Sequence, residues 1–283
     1  MAADRAATAR LDPALVARLN ARFAGEAALV AQVDAPPVPR DLGPRPLEPE
    51  IDAARERWLA RLAEEQRPNE PHALLLSPVG AFADYTVVDF ATICALREAG
   101  RRPPLLSAGG LAVSSDRGLV LLQRRSQWVS TYRGCLDIIG GAFQPPADGY
   151  AGDADLPSTI AREFREETGI ALHSCRTAPG VIAGQLRSGF SGYVELGLDI
   201  PGDRVAAVPV HREGALVPLD ADGLARALTD PEERWVPTAR LHILAWLALG
   251  ARAHRADADR GPVIAQPELL LAMVLAENPT EAR

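Results

Sequence analysis

Residues 162–170 read Arg-Glu-Phe-Arg-Glu-Glu-Thr-Gly-Ile and place three carboxylates near the end of a helical stretch. Glu163, Glu166 and Glu167 fall at i, i+3 and i+4, so in a helix they project from one face. Like charges at that spacing cost about 0.2–0.5 kcal/mol per pair. A divalent cation turns the repulsion into binding, because hard cations such as Mg²⁺ take carboxylate and phosphate oxygens. A solvated acidic helix face is the plain alternative. Gly169 stands where a helix stops in the left-handed conformation. Upstream, Leu136-Asp137-Ile138-Ile139 reads as a short strand running into Gly140-Gly141. A glycine pair there lets backbone carbonyls approach an ion. Strand, glycine turn, long loop and acidic helix outline a site for a metal and a diphosphate.

The chain of 283 residues is long enough for one large domain or two small ones, and 47% hydrophobic content supports a packed core. A net charge of −7 argues against a general nucleic-acid binder. All 30 basic residues are Arg, so phosphate contacts fall to Arg, His or backbone amides, and no catalytic Lys exists. Cys94, Cys135 and Cys175 fit no zinc spacing and read as reduced thiols of a cytoplasmic protein. No apolar run reaches membrane-spanning length, so no membrane partner is expected.

Helical spacing covers residues 11–24, and a proline-rich stretch at 34–49 reads as extended linker. An amphipathic helix is expected over 50–66, a buried strand at 73–76 and a helix from Val87 to Arg97. From Pro104 the pattern turns strand-rich. Leu105–Val113 and Leu119–Arg124 read as a hairpin, followed by a strand at 136–139 and a helix at 157–168 started by Pro157-Ser158. Strands at 181–186, 193–199 and 213–219 follow, then helices near 220–229 and 237–250 and a helix or tail at 267–275.

Residues 162–170 match every fixed position of the second half of the Nudix hydrolase signature, and at this point the chain resembles that superfamily. The signature runs Gly, five residues, Glu, seven residues, then Arg-Glu-U-x-Glu-Glu-x-Gly-U, with U apolar. The first half departs: Ala154 takes the place of the first Glu. Gly141 lies 21 residues before Arg162 where the signature has 14, an insertion of seven. Asp153 and Asp155 are the candidates to replace the missing Glu. The resemblance covers about residues 104–235 and implies an α/β/α sandwich with a mixed sheet, here preceded by an N-terminal α+β extension packed on it. The expected division is an extension at 1–100, a hydrolase domain at 101–255 and a tail or helix at 256–283. The Trp58 helix, the long loop and Leu121–Ser126 are also similar to the UDP-glucose pyrophosphatase branch.

The implied activity is Mg²⁺-dependent (or Mn²⁺-dependent) hydrolysis of a nucleoside diphosphate linked to another group, foremost a nucleotide sugar of the UDP-sugar type. The alternatives are ADP-ribose, a dinucleotide or a modified nucleoside triphosphate as substrate, or a regulator that binds a nucleotide without hydrolysing it. By resemblance Glu163, Glu166 and Glu167 are metal ligands, the Gly141 carbonyl completes the site beside Gly140, and Arg162 braces a glutamate. Glu213, at the head of a strand, is the favoured additional carboxylate, with Glu195 as runner-up. Arg124 and Arg125 follow an apolar strand and are candidates to hold the distal phosphate or sugar, with Arg187 behind them. His211 reads as a loop residue, and Trp128, Tyr132 and Tyr150 as packing residues or stacking platforms for a base.

Overall fold

The computed structural model describes residues 10–129, 131–172, 180–205, 213–253 and 262–276. His211 and Cys175 lie outside them. The chain runs α1 (Pro13–Arg22), β1 (Ala27–Val33), β2 (Val38–Asp41), α2 (Pro49–Glu64), β3 (Pro71–Leu75), β4 (Phe82–Asp89) and α3 (Phe90–Glu98). It continues with β5 (Leu105–Ser114), β6 (Leu119–Arg125), β7 (Leu136–Asp137), β8 (Ile139–Ala142) and α4 (Leu156–Thr168). β9 (Gly180–Gln185), β10 (Phe190–Asp199), α5 (Gly202–Val205), β11 (Gly214–Leu219), α6 (Ala221–Thr229), α7 (Pro237–Ala248) and α8 (Pro267–Ala276) complete it.

Among the described residues all eleven strands join one mixed sheet, and β5 organises it. One edge of β5 pairs in parallel with β10 along its length. The other edge is shared: Leu105 meets β3, residues 107–110 meet β8, and residues 112–114 meet β6. Strand alternation then sorts the core into two layers. Leu111, Val113, Val120, Leu122, Val181 and Val194 face α1, α6, α7 and α8. Leu106, Ala108, Ala112, Leu121, Ile182 and Tyr193 face α4, which buries Leu156, Ile160 and Phe164 at i, i+4 and i+8. The fold is therefore an α/β/α sandwich with a mixed sheet.

The first hundred residues do not stand apart from this sheet. β1 pairs antiparallel with β9, from Ala27 opposite Gln185 to Val33 opposite Gly180. β3 and β4 extend the sheet beyond β5, and α2 packs on α3 through Ile51, Ala54 and Ala95. Several local expectations change. The run at 27–33, which shows no clean alternation, is a strand. The proline-rich stretch contributes β2, whose Pro39 is tolerated on an edge strand. Residues 87–89 finish β4, because Asp89 caps α3 by accepting from Thr92 N at 2.8 Å. The cap of α4 is Asp155 and not Ser158; the two form a reciprocal capping box. The strand at 136–139 is broken at Ile138 into β7 and β8.

The exchange of β1 into the β9 edge yields a test. A fragment of residues 101–283 loses β1 and β3, the partners of β9 and β5, and uncovers Ala183, Val181 and the α7 layer. It is expected to be insoluble or molten by near-UV circular dichroism. A soluble, cooperatively melting fragment would show the extension to be dispensable for folding.

Candidate functional site

α4 crosses β8 so that Glu163 lies over the glycine pair. A Cβ on Gly141 would stand 2.0 Å from Glu163 Oε1, and one on Gly140 would stand 2.6 Å from the Ala108 carbonyl oxygen. Gly140 requires glycine for space, since backbone on both sides lets β8 close on β5 there, and Gly141 lets the Glu163 carboxylate rest on the backbone. Gly169, at φ 71°, ends the helix in the left-handed region, as its position in the sequence implied.

Arg162 ties this corner together. Its Nε and Nη2 donate to the two oxygens of Asp153 at 2.8 and 3.0 Å, and Nη2 also donates to the Ala142 carbonyl at 3.0 Å. Its Nη1 donates to Glu163 Oε1 at 2.9 Å and Glu166 Oε2 at 3.1 Å. Burial works against the arginine charge, but the Asp153 hydrogen bond and the facing carboxylates hold it protonated. Asp153 is only 3% exposed. It also accepts from Gln144 N and Thr159 Oγ1, both at 3.0 Å, so it pins both ends of the inserted loop. Gln144 in turn donates to Glu70 at 2.9 Å and accepts from Tyr150 Oη, which links the loop to the N-terminal region.

The glutamates are strongly perturbed. Burial pushes the Glu163 carboxyl up to about 7, against the pull of Arg162. Burial pushes Glu167 up to about 9, and the charges of Glu163, Glu213 and Asp137 add to the rise. Glu167 Oε2 is buried with no hydrogen-bond partner among the described residues. Glu166 is half exposed. Among the described residues, no three His, Cys, Asp or Glu side chains as they stand enclose a common metal position. Glu163 and Glu166 lean on Arg162, and Glu167 reaches the buried Gln123.

These groups border a cavity of about 880 Å³. Arg162, Glu163, Glu166, Gly140, Gly141 and Glu213 line one end. Glu70, His72, Phe90, Arg97, Arg101 and Arg102, all from the first hundred residues or just after them, form another wall. Burial and the nearby Arg97 and Arg162 hold His72 neutral, at about 4.

The sequence candidates separate accordingly. Arg125 reaches the cavity and pairs with Asp137 at 2.9 Å, where burial raises the Asp137 carboxyl to about 6. Arg124 points to the other side of β6, as strand alternation demands, and forms a two-pronged pair with Glu233. Arg187 borders the cavity and pairs with Glu26 at 3.1 Å. Asp155 caps α4 and Asp153 is engaged by Arg162. Glu195 is 1% exposed on the α4 side of β10, away from the cavity, and neither oxygen has a partner among the described residues. Trp128 is 84% exposed. Tyr132 and Tyr150 border the cavity. The roles of Asp153, Gln123 and the N-terminal wall were not read from sequence. The Asp153 role had one available signal, an acid placed nine residues before a motif arginine.

Comparison with known proteins gives structural likeness only. No family model matches the chain, and no curated protein matches it. Among solved structures, a MutT protein from Methanosarcina mazei Go1 is 22% identical with a TM-score of 0.34, covering 48% of this chain and 88% of that one. A MutT NUDIX hydrolase from Burkholderia pseudomallei is 21% identical with a TM-score of 0.29, covering 51% and 94%. A bifunctional NMN adenylyltransferase/ADP ribose pyrophosphatase from Francisella tularensis, complexed with AMP and Mn ion, is 14% identical with a TM-score of 0.38, covering 53% and 43%. With TM-scores below 0.5, these likenesses leave the functional reading to rest on the side chains.

Two outcomes are expected. Asp153→Ala leaves Arg162 buried without its main partner and should lower unfolding free energy by about 3–5 kcal/mol; a denaturant midpoint within error of wild type would count against the clamp. Glu195 titrates in the fold at about 8, above its ordinary 4.5, through burial alone. Its favourable contribution is therefore complete below its unfolded pKa and lost as pH rises from about 4.5 through about 8. Glu195→Gln should match wild type in melting temperature near pH 5 and exceed it increasingly towards pH 9. A difference independent of pH would refute this.

Proposed function

We propose that this chain is a divalent-cation-dependent diphosphatase of the Nudix type, acting on a nucleoside diphosphate linked to another group. The observation that carries the reading is the corner of α4 and β8. There a buried Glu167 oxygen without a hydrogen-bond partner among the described residues, a Glu163 carboxylate laid on Gly141 and the raised carboxyl pKa values share one small region. A fold keeps such costly groups together when a positive charge compensates them, and of the three glutamates Arg162 pairs with Glu163 and Glu166. The donor set is all oxygen, which suits Mg²⁺ or Mn²⁺. When bound, such a cation neutralises phosphate charge and lowers the pKa of water.

The protein's own groups then take distinct parts. Glu163, Glu166 and Glu167 hold the cation, with Glu163 and Glu166 turning from Arg162 to do so. Arg162 keeps α4 in register with the glycine pair. Glu213, on the cavity wall and close enough to raise both Glu163 and Glu167, is placed to take the proton of the attacking water. Arg125 holds phosphate from the β6 side; the pairing of Arg124 with Glu233 leaves it out of this role. Residues 101–255 carry the reaction and residues 1–100 wall the cavity. A nucleotide sugar is the fuller substrate reading, supported by a cavity with room for groups on both sides of a diphosphate. A nucleotide-binding regulator is the second reading, favoured by the engagement of Glu163 and Glu166 with Arg162.

The deciding experiment is a panel of UDP-sugars, ADP-ribose, dinucleoside polyphosphates and nucleoside triphosphates with Mg²⁺ or Mn²⁺, scored for released nucleotide. Hydrolysis of at least one diphosphate compound is expected, and its absence from the whole panel would favour the regulator. Glu166→Gln and Glu167→Gln should each cut turnover by at least ~100-fold. Glu213→Gln should lower kcat by ~10–1000-fold with KM little changed. Near-normal turnover in all three variants would remove the assignment.

A further inference from the structure

Beyond the carboxylates, the cavity runs along the sheet face that α7 covers. Three residues in register across three strands form its floor there. Ser107 on β5 lies opposite Gly192 on β10, which lies opposite Ala183 on β9. The next row, Gly109 beside Val194, is also low on the β5 side. Small side chains in one row leave a flat slot where neighbouring rows carry Leu105, Phe190 and Val194. Gly192 admits nothing larger, since a Cβ there would stand 1.8 Å from the Ser107 carbonyl oxygen.

Two polar side chains face this slot without partners. Gln185, one step along β9 on the same face, has a buried Nε2 with no acceptor among the described residues. His242, on α7 one turn beyond Thr238, is 3% exposed and lines the inner wall. Neither of its ring nitrogens has a partner among the described residues. A buried amide donor and a buried imidazole left unmatched each cost free energy. Beside an open slot they are matched by whatever enters it. A neutral imidazole offers one donor and one acceptor, and a primary amide offers both.

We propose that the slot formed by Ser107, Gly192 and Ala183, edged by Gln185 and His242, binds a flat heteroaromatic ring, the nucleobase of the nucleotide. The proposal rests on the diphosphatase reading for the rest of the substrate. The ring lies on the small-residue row, with Val194, Ile138 and Val236 as apolar surroundings. Its edge nitrogens and carbonyls meet Gln185 and His242, and the phosphates point along the cavity towards Glu163.

The test uses the full chain without metal, by calorimetry with nucleoside monophosphates and with ribose 5-phosphate, which carries the same phosphate and sugar but no base. At least one nucleoside monophosphate should bind ~10-fold or more tighter than ribose 5-phosphate. Ala183→Leu fills the slot and should bring that ratio to within ~2-fold, and Gln185→Leu, which removes the polar edge at similar volume, should lower it ~3–30-fold. Equal affinity of all ligands in wild type would overturn the proposal. So would a base preference unchanged in Gln185→Leu, a variant that keeps the test open if Ala183→Leu fails to fold. Because binding is read without turnover, a protein that prefers nucleotides yet hydrolyses none would sink the diphosphatase reading and leave the base slot standing.

Discussion

The five-bond grip of Arg162 is the interaction on which the candidate site depends. One guanidinium joins the inserted loop through Asp153, the edge of β8 through the Ala142 carbonyl, and its own helix through Glu163 and Glu166. A planar fork with fixed donors suits this better than a flexible ammonium, whose point charge fixes no directions. The same grip explains how seven additional residues are accommodated between the glycine pair and the acidic helix. Asp153 returns the loop to Gln144 and Thr159, so the insertion bulges outward while its ends stay fixed.

Burial and charge are set against each other around that grip. Glu163, Glu167 and Asp137 all have carboxyls raised by loss of water, and each is close enough to another to add repulsion. Asp137 is compensated by Arg125, and Glu163 in part by Arg162. Glu167 meets the side chain of Gln123. The stability of this region is therefore given up to keep negative charge in a confined space, which is the pattern of a site shaped by what it binds.

The sequence made the core of this arrangement legible because its signals were local. The i, i+3, i+4 glutamates, the stop at Gly169 and the glycine pair each act within a few residues, and the structure places them as read. The α/β/α sandwich was what the resemblance implied, and the order of strands and helices read from the sequence agreed with it. What escaped was non-local. Nothing in Ala27–Val33 announces a partner at residues 180–185, because edge pairing depends on a strand far along the chain. Asp153 looked like a spare carboxylate until its distance from Arg162 could be seen. Arg124 and Arg125 looked equivalent, and the alternation of β6 sends only one of them to the cavity. The base slot was invisible for the same reason: Ser107, Ala183 and Gly192 are unremarkable alone and meaningful only in register.

The pairing of β1 with β9 has a consequence for how the chain comes into being. Synthesis proceeds from the N-terminus, so Ala27 leaves the ribosome long before Gln185, its partner in the sheet. During that interval the groups of β1 that bond β9 have no native partner, and the central sheet cannot close until the last of β9 is made. Such long-range pairing slows folding and leaves an open strand edge in the nascent chain. On a crowded polysome the β9 edge of a neighbouring chain offers the identical register. Exchange of β1 between copies is the misassembly that this long-range pairing opens to the chain.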